Sequence, residues 1–207
     1  AEAARQFLLE TLQLIVEKEG DPQQIYPLWA RQQAQFNTDL LAVLPTIADQ
    51  LLEGDTKRRT FIASVFGNFG NLIQQFSLGI RWLNLELGIV AYEQSLKGTT
   101  QEVMPVEWAI SMNNLAIAYA ERIRGDRAQN IEKAIAAYER SLQVRTQDAM
   151  PVEWATTMNN LATAYKNRIR GDRADNIEQA IAAYQQAMMV MTQDAMPVEW
   201  AQTMNNL

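Results

Sequence analysis

Three adjacent asparagine pairs, Asn113–Asn114, Asn159–Asn160 and Asn205–Asn206, are the side chains of this sequence best suited to holding another polypeptide. A carboxamide carries N–H donors and a carbonyl acceptor, so a column of them can pair with a main chain without reading its side chains. Asparagine is also a poor helix former, because its amide competes for backbone hydrogen bonds. Each pair nevertheless falls inside a segment of helical periodicity, off its apolar stripe, and Asn68 continues the column of second members. The same helical face runs on through Thr163, Lys166 and Arg170, and through Arg124 one repeat earlier, adding positive charge that suits an extended segment with some acidic character. Each observation has a second reading. One amide of each pair can bond a neighbouring helix and fix its spacing, and Arg124 and Arg170 can simply complement helix C-termini.

Most other chemistry is excluded by residue type. The chain has no histidine and no cysteine, which removes Ser-His-Asp and Cys-His nucleophile systems, imidazole and thiolate metal sites, and disulfides. No catalytic residue, metal ligand or cofactor is expected. Asp172 and Asp175 lie on a loop without an accompanying base and read as solvated turn residues. Arg124-Gly125-Asp126 and Arg170-Gly171-Asp172 spell an integrin-type tripeptide, but a glycine stop and cap chemistry at a turn explain its recurrence. Trp108, Trp154 and Trp200 share the apolar stripe and read as core rather than as an aromatic cage. Net charge is −6 and no segment is basic enough to track a nucleic-acid backbone. The apolar runs fall short of the ~20 residues of a membrane span.

The elements that position these residues recur. Met-Pro-Val-Glu-Trp-Ala starts at Met104, Met150 and Met196 (150 − 104 = 46 and 196 − 150 = 46), and Met-Asn-Asn-Leu follows each copy. A fixed period in this range is the signature of a stacked-repeat protein. In the unit 150–195, Pro151 suits a first helical turn and Glu153 complements its dipole. Trp154, Met158, Leu161 and Tyr165 then form one stripe, Gly171 closes the helix, and Asn176 is expected as N-cap of a second. Ile177, Ala180, Ile181, Tyr184 and Ala187 give that second helix its buried face. The unit 104–149 repeats the pattern with Gly125 and Asn130. Shifting back by the period exposes a degenerate hairpin in 56–103, through Asn84, Tyr92, Phe69 and Asn68. Residues 196–207 hold the first helix of a further repeat, so the chain reads as an excised fragment.

Residues 1–55 do not fit the repeat and read as an N-terminal helical cap, as solenoid ends require. Ala3 to Glu19 predicts one amphipathic helix closed by Gly20. Asp21 and Pro22 predict the start of another. Ile25, Trp29, Phe36, Leu40, Leu44, Ile47 and Leu51 keep helical spacing, which predicts one long helix bent at Pro45.

Leu161, Ala162, Tyr165, Ala180, Tyr184 and Ala187 resemble the small and large residue order of the tetratricopeptide repeat, with a longer unit than its usual 34 residues. Met-Asn-Asn-Leu-Ala is similar to the repeats of kinesin light chain. Arg-Ile-Arg-Gly-Asp-Arg with Asn-Ile-Glu-Gln-Ala-Ile-Ala-Ala-Tyr looks like cyanobacterial arrays that precede caspase-like (CHAT-type) peptidase or NTPase domains. The resemblance implies an all-α fold, an α-solenoid (right-handed superhelix) of tetratricopeptide-like helical hairpins behind the N-terminal cap. It implies a non-catalytic, cytoplasmic scaffold that binds a protein or peptide partner in a concave groove, with Asn68, Asn113, Asn114, Asn159 and Asn160 as contacts. The alternative is a self-associating regulatory or sensor arm whose effector domain lies beyond Leu207, forming a homo-oligomer through the exposed terminal repeat. No nucleic acid and no membrane are expected as partners.

Overall fold

The computed structural model describes residues 2–207. Among the described residues there are ten α-helices and one 3-10 turn, and no strand. The all-α expectation holds, and successive helices pack on one another as hairpins. The chain divides after Ala118 into two compact units.

The first unit contains α1 (Glu2–Glu17), α2 (Pro22–Arg31), a 3-10 turn (Gln33–Gln35), α3 (Thr38–Leu51), α4 (Thr56–Gln75), α5 (Arg81–Gly98) and α6 (Pro105–Glu121) as far as Ala118. Its core is built on aromatic edges. Trp29 and Phe76 meet T-shaped at 5.6 Å, and Phe7 and Phe36 at 5.1 Å, the geometry that ring quadrupoles favour. The α4–α5 hairpin is close enough to need glycine. A Cβ on Gly70 would stand 2.6 Å from a Tyr92 ring carbon, and one on Gly98 would stand 2.6 Å from the Ala63 Cβ.

The long bent helix expected over residues 22–51 is instead two helices, broken between Arg31 and Thr38. Asn37 makes the break: its side chain accepts from the backbone N–H groups of Asp39 and Leu40 and so opens α3 as N-cap. Phe36 reaches the core from the intervening turn rather than from a helix, which is why its spacing imitated one. Pro45 lies inside α3. The first helix ends at Glu17, and both Glu19 and Gly20 take left-handed backbone, with φ of 51° and 72°.

The second unit contains the end of α6 from Tyr119, then α7 (Arg127–Ser141), α8 (Pro151–Lys166), α9 (Arg173–Met188) and α10 (Pro197–Asn206). Leu161, Ala162, Ala180, Tyr184 and Ala187 are all buried. Trp154 and Tyr165, expected on the apolar stripe, are only half-buried, whereas Trp108 of the first unit is buried.

The turn inside each hairpin corrects a second expectation. Asn130 and Asn176 are not N-caps; Asp126 and Asp172 are, with Asp172 accepting from Ala174 and Asp175 N–H at 2.8 and 3.1 Å. The asparagines sit one turn further in, buried, and turn their amides backwards. Asn130 Nδ2 donates to the Arg124 carbonyl and Asn176 Nδ2 to the Arg170 carbonyl, both at 2.8 Å. Asn84 repeats the contact on the Leu78 carbonyl at 2.9 Å. A second clamp recurs beside it: the guanidinium groups of Arg81, Arg127 and Arg173 donate to the carbonyls of Gln74, Ala120 and Lys166 at the end of the preceding helix. Gly79, Gly125 and Gly171 occupy the turn with φ of 86°, 81° and 80°, rather than ending the helix itself. Carbonyls left open by helix termination are thus satisfied by side chains of the next helix.

Candidate partner-binding site

Mid-helix asparagines lower helix propensity, a cost that is offset where their amides find partners outside their own backbone, and within the first unit several do. Asn113 is buried and its Nδ2 donates to Asn114 Oδ1 at 3.0 Å. Asn114, half-buried, donates in turn to Asn71 Oδ1 on α4 at 2.8 Å. The Tyr92 hydroxyl reaches from α5 to Asn71 Oδ1 at 3.0 Å and to Gln74 Oε1 at 2.9 Å. Burial, and then the nearby Tyr26, push the Tyr92 phenol far above its ordinary pKa, so it remains a donor. This chain of polar groups ties α6 to the α4–α5 hairpin. Asn68, expected to continue the Asn114 column, is exposed and lies beside Gly20 instead.

The second unit uses the equivalent positions differently. Asn159 Oδ1 accepts from the Thr203 hydroxyl of α10 at 2.9 Å. Thr163 donates to the Asn159 carbonyl at 3.1 Å, so its 2.9 Å contact with Tyr184 is donated by the phenol. Burial raises the Tyr184 pKa, and the bond to Thr163 opposes that rise. Lys166 Nζ donates to the Asn206 carbonyl, a cation on the end of α10. Asn160, half-exposed, makes no side-chain hydrogen bond among the described residues. Arg124 and Arg170 are exposed in the interhelical turns, where their carbonyls serve the asparagine clamp.

The residues placed on one helical face are therefore brought into two local networks. Asn114, Asn159, Thr163 and Lys166 are drawn into interhelical bonds, Asn113 bonds Asn114 within α6, and Asn160 and Asn68 are left presenting their amides. Asn71, Tyr92 and Tyr184 were not expected in these networks. A signal existed: Tyr92 and Asn71 are separated by 92 − 71 = 21, and Tyr184 and Thr163 by 184 − 163 = 21. Two further polar contacts belong to the second unit. Arg168 makes a bidentate pair with Glu132 at 2.8 Å, which, by hydrogen bonding first, holds the Glu132 carboxyl below its usual range. Buried Arg145 donates to the Thr157 hydroxyl at 3.1 Å; burial lowers its pKa and the charge of Glu153 opposes this.

Among the described residues no group of three or more acidic side chains is arranged to hold a metal ion, and no helix is long and apolar enough to cross a membrane. The arrangement is that of an all-α hairpin repeat whose polar groups hold helices together and present amides. The tetratricopeptide repeat family model matches residues 108–148 and 154–188, so these segments are similar to that repeat. No curated protein and no solved structure matches the chain. Tetratricopeptide repeats generally mediate protein–protein interaction and are generally non-catalytic.

Proposed function

We propose that the chain is a non-catalytic interaction scaffold that holds a peptide or partner segment along the first helices of its hairpins, with Asn160 as the principal contact. The observation that supports this is the uncommitted amide of Asn160, midway along α8 and half-exposed, where a helix gains nothing from asparagine. Thr163 lies close to Asn160 on α8, already oriented by its bond to Tyr184, and within the first unit Asn114 is likewise oriented by its bond to Asn71. Such preorganisation lowers the entropy that binding must overcome. Exposed Arg124 and Arg170 favour a segment with acidic character. The kinesin-light-chain likeness of Met-Asn-Asn-Leu-Ala supports a grip on the partner's main chain.

The test is capture of a phage-displayed random dodecapeptide library. Asn160→Ala is expected to lose the captured clones while the far-UV circular dichroism stays unchanged and Tm does not fall. Retained capture by a folded Asn160→Ala would overturn the reading.

One observation favours the second reading, that the chain is a self-associating arm. Val198, Met204 and Leu207 on or beside α10 are exposed apolar side chains, a surface of the kind that pairs with another copy. Light scattering over a hundredfold concentration range decides it: a mass that rises for the native chain and not for Val198→Ser/Met204→Ser supports self-association, and a constant monomer mass rejects it.

A further inference from the structure

The N-terminal helices carry a feature that the scaffold reading does not use. On α1, Glu10, Leu14 and Glu17 recur at helical spacing on one face. That face stands across from the last turn of α2, and between them lies a cleft of about 510 Å³ lined by Glu10, Thr11, Glu17, Trp29, Arg31 and Gln32 among others. A second cavity of about 360 Å³ shares Glu10, Arg31 and Gln32 and continues the cleft towards Ala3. From Ala3 to Glu17 the helix rises about 21 Å at 1.5 Å per residue, the length of about six residues of extended chain.

The floor holds two unanswered polar groups. Trp29 is 1% exposed and Thr11 is 3% exposed, and the indole Nε1–H of the first and the hydroxyl of the second have no hydrogen-bond partner. Buried donors without partners are rare and costly. The rim residues Gln13, Arg31 and Gln32 are exposed, and an incoming acceptor reaches the two buried donors where Arg31 and Gln32 turn aside. The rim is charged asymmetrically. Glu10 and Glu17 accept only from the neutral amides of Gln6 and Gln13, at 2.8 and 2.7 Å, so neither is engaged by a cationic side chain. Arg31 makes no hydrogen bond or ion pair among the described residues. Two carboxylates against one guanidinium leave the cleft negative.

We propose that the α1–α2 cleft is a binding site for an extended peptide segment carrying a lysine or arginine. A main-chain carbonyl of that segment accepts from the Trp29 indole and the Thr11 hydroxyl, and its cation lies between Glu10 and Glu17. The elongated shape favours a chain over a compact ligand, and the excess negative charge favours a basic one. This site is separate from the Asn160 face and stands or falls independently of it.

Blocked hexapeptide mixtures test the proposal, with one position fixed as lysine, glutamate or alanine and the others randomised. Binding is read by fluorescence polarisation and by the Trp29 indole signal in a ¹H–¹⁵N spectrum, assigned through Trp29→Phe. The lysine mixture is expected to bind about tenfold more tightly than the alanine mixture, the size of two partly exposed charge pairs, and to move the Trp29 signal. Glu10→Gln/Glu17→Gln is expected to abolish the preference, and Glu53→Gln/Glu178→Gln, which removes the same charge elsewhere, to leave it. Thr11→Val, which keeps the shape and loses the hydroxyl, is expected to weaken capture while the circular dichroism is unchanged. Preference for the glutamate mixture, equal loss in both double variants, an unmoved Trp29 signal or absence of saturable binding each overturns it.

Discussion

Two asparagines of the second unit, replaced identically, should behave in opposite ways. Asn176 is 2% exposed and its amide closes the α8–α9 turn on the Arg170 carbonyl at 2.8 Å. Asn160 is half-exposed and bonds nothing. Truncating Asn176 to Ala removes one buried hydrogen bond, a net loss of about 0.5–1.5 kcal/mol, and the stranded carbonyl adds up to about 1–3 kcal/mol where water cannot replace the donor. Arg170 and Gly171 are exposed, so water reaches that carbonyl and the lower end of the second range applies. Alanine returns roughly 0.5 kcal/mol of helix propensity at either position. The balance is a loss of about 1.5 kcal/mol for Asn176→Ala and a gain of about 0.5 kcal/mol for Asn160→Ala. At roughly 2–4 °C per kcal/mol for a chain of this size, Tm should fall by about 3–6 °C in the first variant and rise by about 1–2 °C in the second.

Thermal melts followed by circular dichroism at 222 nm, with urea titrations at fixed temperature, measure both. The comparison is internally controlled, because the same atoms are removed from a helix each time and the change in the unfolded chain is the same. Equal shifts in the two variants would refute the reasoning, since Asn160 would then be as structural as Asn176. The same logic extends to Asn84, which donates to the Phe76 and Leu78 carbonyls at 3.1 and 2.9 Å. Its truncation should cost more than that of Asn176 by about one further net hydrogen bond.

Other expectations follow from single contacts. Gly98→Ala should destabilise by about 1–3 kcal/mol in urea titration, because the new Cβ meets the Ala63 Cβ at 2.6 Å and the Arg59 carbonyl at 2.7 Å, atoms fixed by backbone. Gly88→Ala, whose nearest neighbour would be 3.7 Å away, should instead stabilise by about 0.5–1 kcal/mol. Asp172→Ala, which removes the cap on Ala174 and Asp175 N–H, should cost about 1 kcal/mol, and glycine at that position less. The Glu132 carboxyl is held below its usual range by Arg168, so its contribution is complete above the unfolded carboxyl pKa and disappears as pH falls through the folded one. Tm measured from pH 6 to pH 2 should therefore fall further for the native chain than for Glu132→Gln, and parallel curves would exclude the linkage.

The helical hairpins were legible because periodicity reports directly on burial, although Trp154 and Tyr165 of the expected stripe are only half-buried. Two features were hidden for definite reasons. The break before α3 escaped because Trp29, Phe36 and Leu40 keep helical spacing although Phe36 reaches the core from a turn. The capping residues were misplaced because asparagine is itself a good N-cap. Only the backward direction of the Asn130 and Asn176 amides reveals that the aspartates four positions earlier cap the helices. The polar networks were harder still. Subtracting the period yields equivalents rather than neighbours: Asn114 is the counterpart of Asn68 but bonds Asn71. Helices that pack side by side cross at an angle and their side chains lean along the axis, so contacts fall several residues away from the equivalent position.

That distinction also sorts structural from functional positions. The turn glycine, the arginine that opens the second helix and the buried asparagine recur in all three hairpins, at Gly79, Arg81 and Asn84, at Gly125, Arg127 and Asn130, and at Gly171, Arg173 and Asn176. The first hairpin keeps them even though the aspartate cap has become Ile80 with no side-chain cap. This recurring set satisfies carbonyls at and just beyond the helix ends, an obligation indifferent to any partner. Positions on the same helices that vary between copies answer to something else. Asn71, Ile117 and Thr163 are equivalent, as are Gln74, Ala120 and Lys166, and each set mixes hydrogen-bonding with aliphatic side chains. A partner that discriminates among the repeats must read such variable, partly exposed groups, beside the recurring Asn160, which, unlike Asn114, is left unbonded. The strict period locates the scaffold, and departures from it beside Asn160 are where specificity is to be sought.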